Sequence, residues 1–477
     1  MTPRAIYHIM AVFMLASLTA CASSPSQRDT LKQTYDRTAQ YHSPDRNPII
    51  VIPGILGSRL IDDETGRVVW GAFRSEYANP KIAEELRLIT LPIGPEAVVT
   101  PTRVRPDGVL ESLKLKLAGI PIEIQAYGGI LNTLGAGGYR DQAFGLNSVD
   151  YGTDHYTCFQ FDYDWRLDIT QNARRLKVFI DEKRRDVQRQ YEIEYGIKDA
   201  PVKFDIAAHS MGALLTRYFL RYGGEDLPAD ETVPPVSWAG AQDVERAILV
   251  APPNAGSLDA VEQLVSGFDK GGPLIPRYDP AILGTFPSVY QLLPRPRHGR
   301  IIVDGDKDQP IGDIYDVKVW EKYGWGLSAK DERTETILSQ LLPNVTDASE
   351  RRNVARDYQA QALRRARQFH AALDKPSTPP DGLDYILVAG DAHATPAYVS
   401  VDSQTGETSV HSREPGDNVV LRSSALLDER VNADWEPHVK SPLKWDSVLF
   451  LPGAHRNLTS EPIFEDNVLY WLLEDPR

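Results

Sequence analysis

The sequence predicts an α/β fold with a mostly parallel central sheet, helices on both faces, and inserted cap segments. Three observations carry that prediction. Short apolar runs recur along the chain, each ending in a turn of Gly, Pro or small residues. Amphipathic helical stretches lie between these runs. Strands that alternate with helices in this way pair in parallel and are covered on both sides.

The first strand is expected at Pro48–Ile52, a β-branched run closed by Pro53-Gly54. Asp168 precedes a long helix with Leu176, Phe179, Ile180, Val187 and Tyr191 at helical spacing. Val202–Ala208 reads as a strand entering a small-residue turn, then a helix from about Gly212 to Tyr222. Ala247–Ala251 runs into Pro252-Pro253-Asn254-Ala255-Gly256-Ser257, and Tyr385–Ala389 ends at Gly390-Asp391. Val448–Leu451 precedes a final helix. Two stretches fit the alternation badly. Residues 70–140 are rich in Gly and Pro, and residues 258–380 hold Pro-rich loops and an amphipathic helix from about Asp347 to Leu373. Both are read as cap or lid insertions over the C-terminal edge of the sheet; a separate helical domain is the alternative for the second.

Composition narrows the function. The 477 residues are 42% hydrophobic and 25% charged, ordinary for a globular chain with a full core. A net charge of −14 and no long basic run argue against nucleic acid, which needs clustered Lys and Arg. The two cysteines, Cys21 and Cys158, cannot form an internal disulfide once Cys21 is modified, and no clustered Cys/His or H-E-x-x-H pattern suggests a metal. No metal or cofactor is expected.

Residues 1–21 read as an export signal: Arg4, an apolar run from Ile6 to Leu18, then Leu18-Thr19-Ala20-Cys21, the pattern of a bacterial lipobox. Cys21 is the expected lipidation site. Residues 22–46 form a polar tether that spans roughly 25–30 Å root-mean-square, and residues 47–477 form the folded domain. The expected location is a bacterial membrane, facing the periplasm or exterior. No Asp follows Cys21 as a retention signal, which favours the outer membrane.

Ala208-His209-Ser210-Met211-Gly212 lies between a strand and a helix, the context of a nucleophile elbow. Strand and helix can approach there only if the positions two before and two after the serine are small. Ala208 and Gly212 are. Ser210 is therefore the candidate nucleophile of an α/β-hydrolase fold, and the Met211 amide the candidate oxyanion donor beside it. A serine hydroxyl needs a base, and the fold supplies an acid and then a histidine downstream. Of the 10 histidines, His455 stands out in the loop after Val448–Leu451, whereas His411 and His438 sit in polar stretches. For the acid, Asp391 ends a strand directly. Asp417 follows a hairpin whose arms would be Tyr398–Asp402 and Thr408–His411. Pattern barely separates the two.

Several motifs together resemble the lecithin:cholesterol acyltransferase family. Ile52-Pro53-Gly54-Ile55-Leu56-Gly57-Ser58 resembles its V-P-G-x-L-G segment, and Asp162-Tyr163-Asp164-Trp165-Arg166-Leu167 its P-Y-D-W-R-L stretch, with Asp162 in place of Pro. Ala251–Ser257 is similar to its A-P-W-G-G-S turn, Gly416-Asp417 with Val420 and Arg422-Ser423 to the pattern around its acid, and Gly453-Ala454-His455 to its histidine loop. The resemblance implies Asp417 as the acid and the Ile55 amide as the second oxyanion donor. It implies acyl transfer from a phospholipid or other lipid ester through an acyl-serine, at a membrane surface, to an alcohol, sterol or diacylglycerol acceptor. Hydrolysis with water as sole acceptor is the alternative, and an inactive lipid-binding lipoprotein is one of another class. The cysteine pair that closes the lid of animal members is missing. Asp164, Trp165 and Arg166 are read as support near the site, and Trp70 as a core residue or a lid aromatic.

Overall fold

The computed structural model describes residues 43–71, 78–94, 103–110, 112–117, 120–125, 127–143, 156–268, 277–430 and 436–476. Cys21, the leader and residues 22–42 of the tether lie outside them.

Six parallel strands form the central sheet. In chain order they are β1 (Ile49–Ile52), β2 (Cys158–Gln160), β3 (Phe204–His209), β4 (Val244–Val250), β5 (Asp384–Gly390) and β6 (Ser447–Leu451). Their order across the sheet is β2-β1-β3-β4-β5-β6. Side chains alternate across a strand, so Ile50 and Ile52 of β1 join one hydrophobic cluster while Ile49 and Val51 join another on the opposite face. Both clusters are covered by helices, which is why the strands read as continuous apolar runs.

One face carries α1 (Ile169–Tyr195) and α2 (Met211–Tyr222). The Asp168 carboxylate accepts from the Thr170 amide and starts α1, which buries Leu176, Ile180, Val187 and Tyr191; Phe179 is only half-buried. Gly196, at φ +70°, ends it. The helix Gly128–Ala136 and the last helix, Pro462–Leu473, contribute Leu131, Leu134, Phe464, Val468 and Leu472 to the cluster on the opposite face.

Ser58–Asp62 and Val68–Trp70, which lead into the first insertion, form a three-stranded antiparallel sheet with its Val104–Val109, and the insertion adds a separate hairpin, Ser112–Leu117 with Ile120–Gln125. In the second, the long helix is Ala348–Asp374, capped by Asp347. Its C-terminal end does not stand apart as a cap or a domain. The Leu373 carbonyl accepts from Arg217 and the Ala372 carbonyl from Tyr222, both at 2.9 Å, and Phe369 stacks on Tyr218. That end belongs to the helical layer over the sheet, because its apolar stripe is buried on α2.

The predicted hairpin is longer than its sequence arms suggest, His393–Val401 paired with Thr408–Gly416. Strand β2 was not anticipated. Three residues are too short to show a period.

Candidate active site

The chain leaves β3 at Ser210 with φ +54° and ψ −123° and enters α2 at the next residue. A non-glycine residue pays a steric cost there, and the surrounding hydrogen bonds hold it in place. The Ser210 amide donates to the Val250 carbonyl of β4 at 2.8 Å. A Cβ at Gly212 would lie 2.4 Å from the Pro53 carbonyl oxygen, so the small residue the pentad calls for is dictated by the neighbouring β1 loop.

His455 follows β6 and faces Ser210. Its Nε2 lies 2.9 Å from Ser210 Oγ, and its Nδ1 lies 2.8 Å from Asp417 Oδ2. An ionised carboxylate can only accept, so Nδ1 carries the proton and Nε2 is left to accept from the serine hydroxyl. The other Asp417 oxygen accepts from the amides of Val419 and Val420 at 3.0 and 2.7 Å. Burial by itself would raise the Asp417 pKa; His455 and these amides outweigh it and hold the carboxyl below its usual range. The His455 amide donates to the Asp417 carbonyl at 2.9 Å, so the two loops are docked through backbone as well. All three side chains are nearly buried.

Asp391 stands elsewhere: its carboxylate is well exposed and faces Arg422 at 4.0 Å. His411 and His438 are exposed. The structure therefore brings together Ser210, Asp417 and His455 and leaves the competing residues out.

Met211 is the first residue of α2, so its amide has no acceptor within the helix and the positive end of the helix dipole faces Ser210. Gly54 presses on the serine from the other side; a Cβ there would come within 2.8 Å of Ser210 Cβ. Ile55 follows it. Among the described residues neither the Ile55 nor the Met211 amide donates to a protein acceptor.

The motif residues around this centre buttress it. Tyr163 donates to the Pro53 carbonyl at 2.9 Å, and Trp165 Nε1 to the Ser58 carbonyl at 3.2 Å, fixing both ends of the Pro53–Ser58 loop. Arg166 grips Asp164 at 2.9 and 2.7 Å and donates to the Leu88 and Ile89 carbonyls of the first insertion. The turn after β4 and the segment after Asp417 interlock: Ser424 Oγ donates to the Gly256 carbonyl at 2.7 Å and accepts from the Ala255 amide at 3.1 Å.

A cavity of about 560 Å³ opens over Ser210 and His455, walled by Ile55, Leu56, Trp70, Leu110, Phe268, Val289 and Leu292. Both insertions thus supply wall at the C-terminal ends of the strands. Trp70 is core and wall at once: its Nε1 donates to the Leu56 carbonyl at 2.8 Å, and its ring meets Trp165 edge-on. The sequence reading misses Tyr127, whose hydroxyl bonds His209 Nδ1 at 3.0 Å. The available signal was an aromatic residue before Gly128-Gly129 at the start of an apolar helix.

The family model of lecithin:cholesterol acyltransferase matches residues 140–376, which include Ser210 and end before Asp417 and His455. No curated protein sequence matches the chain. Among solved structures, the chain is similar to one in the crystal structure of the Tle4–Tli4 complex, at 15% identity over 89% of this chain and 97% of that one, with a TM-score of 0.52. Phospholipase PlaB from Legionella pneumophila is matched at 12% identity over 69% and 53% of the two chains, with a TM-score of 0.28. Lipase 1 from Pelosinus fermentans is matched at 14% identity over 58% and 72%, with a TM-score of 0.24. The matched stretch takes in Asp162–Leu167, the pentad around Ser210 and Ala251–Ser257. Over residues 140–376 the chain is similar to the lecithin:cholesterol acyltransferase family, and its fold is that of an α/β-hydrolase.

Proposed function

We propose that the chain is a serine-dependent O-acyltransferase of lipid esters, which hydrolyses them when no alcohol reaches the acyl-enzyme. The observation that carries this reading is the hydrogen-bonded chain Ser210–His455–Asp417 at the floor of a largely apolar cavity.

Ser210 Oγ attacks the ester carbonyl while His455 Nε2 takes its proton, and Asp417 stabilises the imidazolium. The Ile55 and Met211 amides receive the oxyanion; one such donor is typically worth roughly 3–4 kcal/mol of barrier. His455 then protonates the departing alcohol, leaving an acyl-Ser210. In the second half the acceptor O–H gives its proton to His455 and attacks the same carbonyl. Ser210 leaves and recovers a proton. A bound alcohol held in attack geometry can outcompete water, since orientation is worth about 7–11 kcal/mol in favourable cases. The apolar walls suit a fatty acyl chain. The lipobox at Leu18–Cys21 supports anchoring at a membrane through Cys21, which would keep the cavity close to lipid.

The test is purified protein with acyl-labelled phospholipid, with and without a sterol, diacylglycerol or long-chain alcohol. Label should pass to the added alcohol as well as to free fatty acid. If added alcohols never divert it, the protein is a phospholipase or lipase. Ser210→Ala should lose turnover by about 10⁴- to 10⁶-fold while still folding, and ester cleavage within tenfold of wild type would place the nucleophile elsewhere.

A further inference from the structure

His209 and Tyr127 form a second hydrogen-bonded chain beside the first. The His455 carbonyl can only accept, and His209 Nε2 lies 2.9 Å from it, so Nε2 carries the ring proton. His209 Nδ1 is then an acceptor, and the Tyr127 hydroxyl donates to it at 3.0 Å. The Tyr127 oxygen in turn accepts from the Gly54 amide at 2.7 Å. Every donor and acceptor in this series is used once and in one direction. It runs from the residue before Ile55, through the residue before Ser210, to the backbone of His455.

We infer that Tyr127 and His209 are positioning residues, which hold the oxyanion loop and the histidine loop at a fixed spacing on either side of Ser210. The inference rests on the roles proposed above for Ser210, His455 and Ile55. Each of these sits on a different loop, and those loops are linked to one another only through tertiary contacts. Gly54 already touches Ser210, so a small shift of its loop moves the Ile55 amide relative to the carbonyl under attack. His455 gains a positive charge during the reaction, and the His209 ring lies only 4.9 Å away between centroids. A second cation there would oppose that charge. Removal from water and the neighbouring His455 lower the His209 pKa to about 3, while Asp417 acts in the opposite sense and Arg456 in the same sense. His209 is a neutral tie rather than a second base.

The test compares Tyr127→Phe, His209→Phe and His209→Gln with wild type. Gln keeps a donor for the His455 carbonyl; Phe keeps only bulk. Hydrolysis of a short soluble ester and the rate at which a fluorophosphonate labels Ser210 are measured, with thermal melts alongside. Tyr127→Phe and His209→Phe should lower kcat and the labelling rate together by about 10- to 100-fold, with KM within about twofold, as expected for misplaced reacting groups. His209→Gln should recover most of the loss. Rates within twofold of wild type in both Phe variants, or no recovery in His209→Gln, would overturn the inference while Ser210 labelling stands. Loss of a cooperative melt in Tyr127→Phe and His209→Gln alike would make the chain a folding device and overturn it too. A wild-type protein that is not labelled at Ser210 overturns the proposed function, and this inference with it.

Discussion

Gly390, the last residue of β5, is packed directly against Asp417: a Cβ at position 390 would lie 2.6 Å from the Asp417 Cβ. The hairpin that leaves β5 therefore returns its far end to the same strand terminus, and Asp417 takes the place that an acid directly following the strand would occupy. Asp417→Asn should cost about 10⁴-fold in kcat, because it favours the wrong imidazole tautomer. Asp391→Asn should stay within a few-fold of wild type. Equal losses in the two variants, measured on one ester, would break this assignment. Gly390→Ala should also reduce kcat by displacing Asp417, although it changes no polar group.

Gly54→Ala is expected to act on rate more than on stability. The added methyl meets Ser210 Cβ and pushes the Ile55 amide away from the oxyanion position. Loss of one such donor costs about 10²–10³ in kcat. A variant with wild-type kcat would remove Ile55 from the proposed oxyanion hole.

Acid should destabilise the fold through three histidines: His209, whose pKa is lowered to about 3 as described above, and two more. His298 and His370 are almost fully buried. Burial is the largest cause that lowers each pKa from 6.5 to about 3. The unfolded chain binds protons below pH 6.5 that these rings refuse while folded, so stability falls as pH drops from 6.5 toward 3. Linkage puts the loss at about 4 kcal/mol at pH 5.5 relative to pH 8 for the three. Urea midpoints at the two pH values measure it. Both His298 ring nitrogens lack a hydrogen-bond partner among the described residues, so His298→Leu should remove about a third of the slope at little cost at pH 8. Identical slopes in variant and wild type would rule out His298 as a source.

Cys21→Ala should block lipid attachment and leave the protein unprocessed or released from membranes. Fractionation with a salt wash reads this directly. No helix among the described residues is long and apolar enough to cross a membrane. Processed variant that still pellets and resists salt would transfer the anchoring role from Cys21 to an apolar surface of the folded domain.

How much of this was legible in sequence depended on the range of the force involved. The strand–turn–helix around Ser210 is contiguous, and its small residues answer a steric demand within five positions, so the candidate nucleophile could be read directly. The apolar stripe of α1 repeats over a few turns and was equally plain. His455 followed from its place after the last strand. Partners far apart in the chain were a different matter. The choice of Asp417 over Asp391 depends on where a paired hairpin returns, which local pattern leaves open and only the resemblance to the family's motifs favours. Tyr127 and His209 are 82 positions apart, and His209 and the His455 carbonyl 246. Their contacts depend on sheet order and loop packing, and a hydroxyl or an imidazole carries no local mark of the partner it will meet. Sequence alone determined five of the six strands of the central sheet, the elbow and the candidate nucleophile and base. Only the tertiary structure decided which polar groups close the hydrogen-bond chains around them, because those bonds form between loops that the sheet brings together.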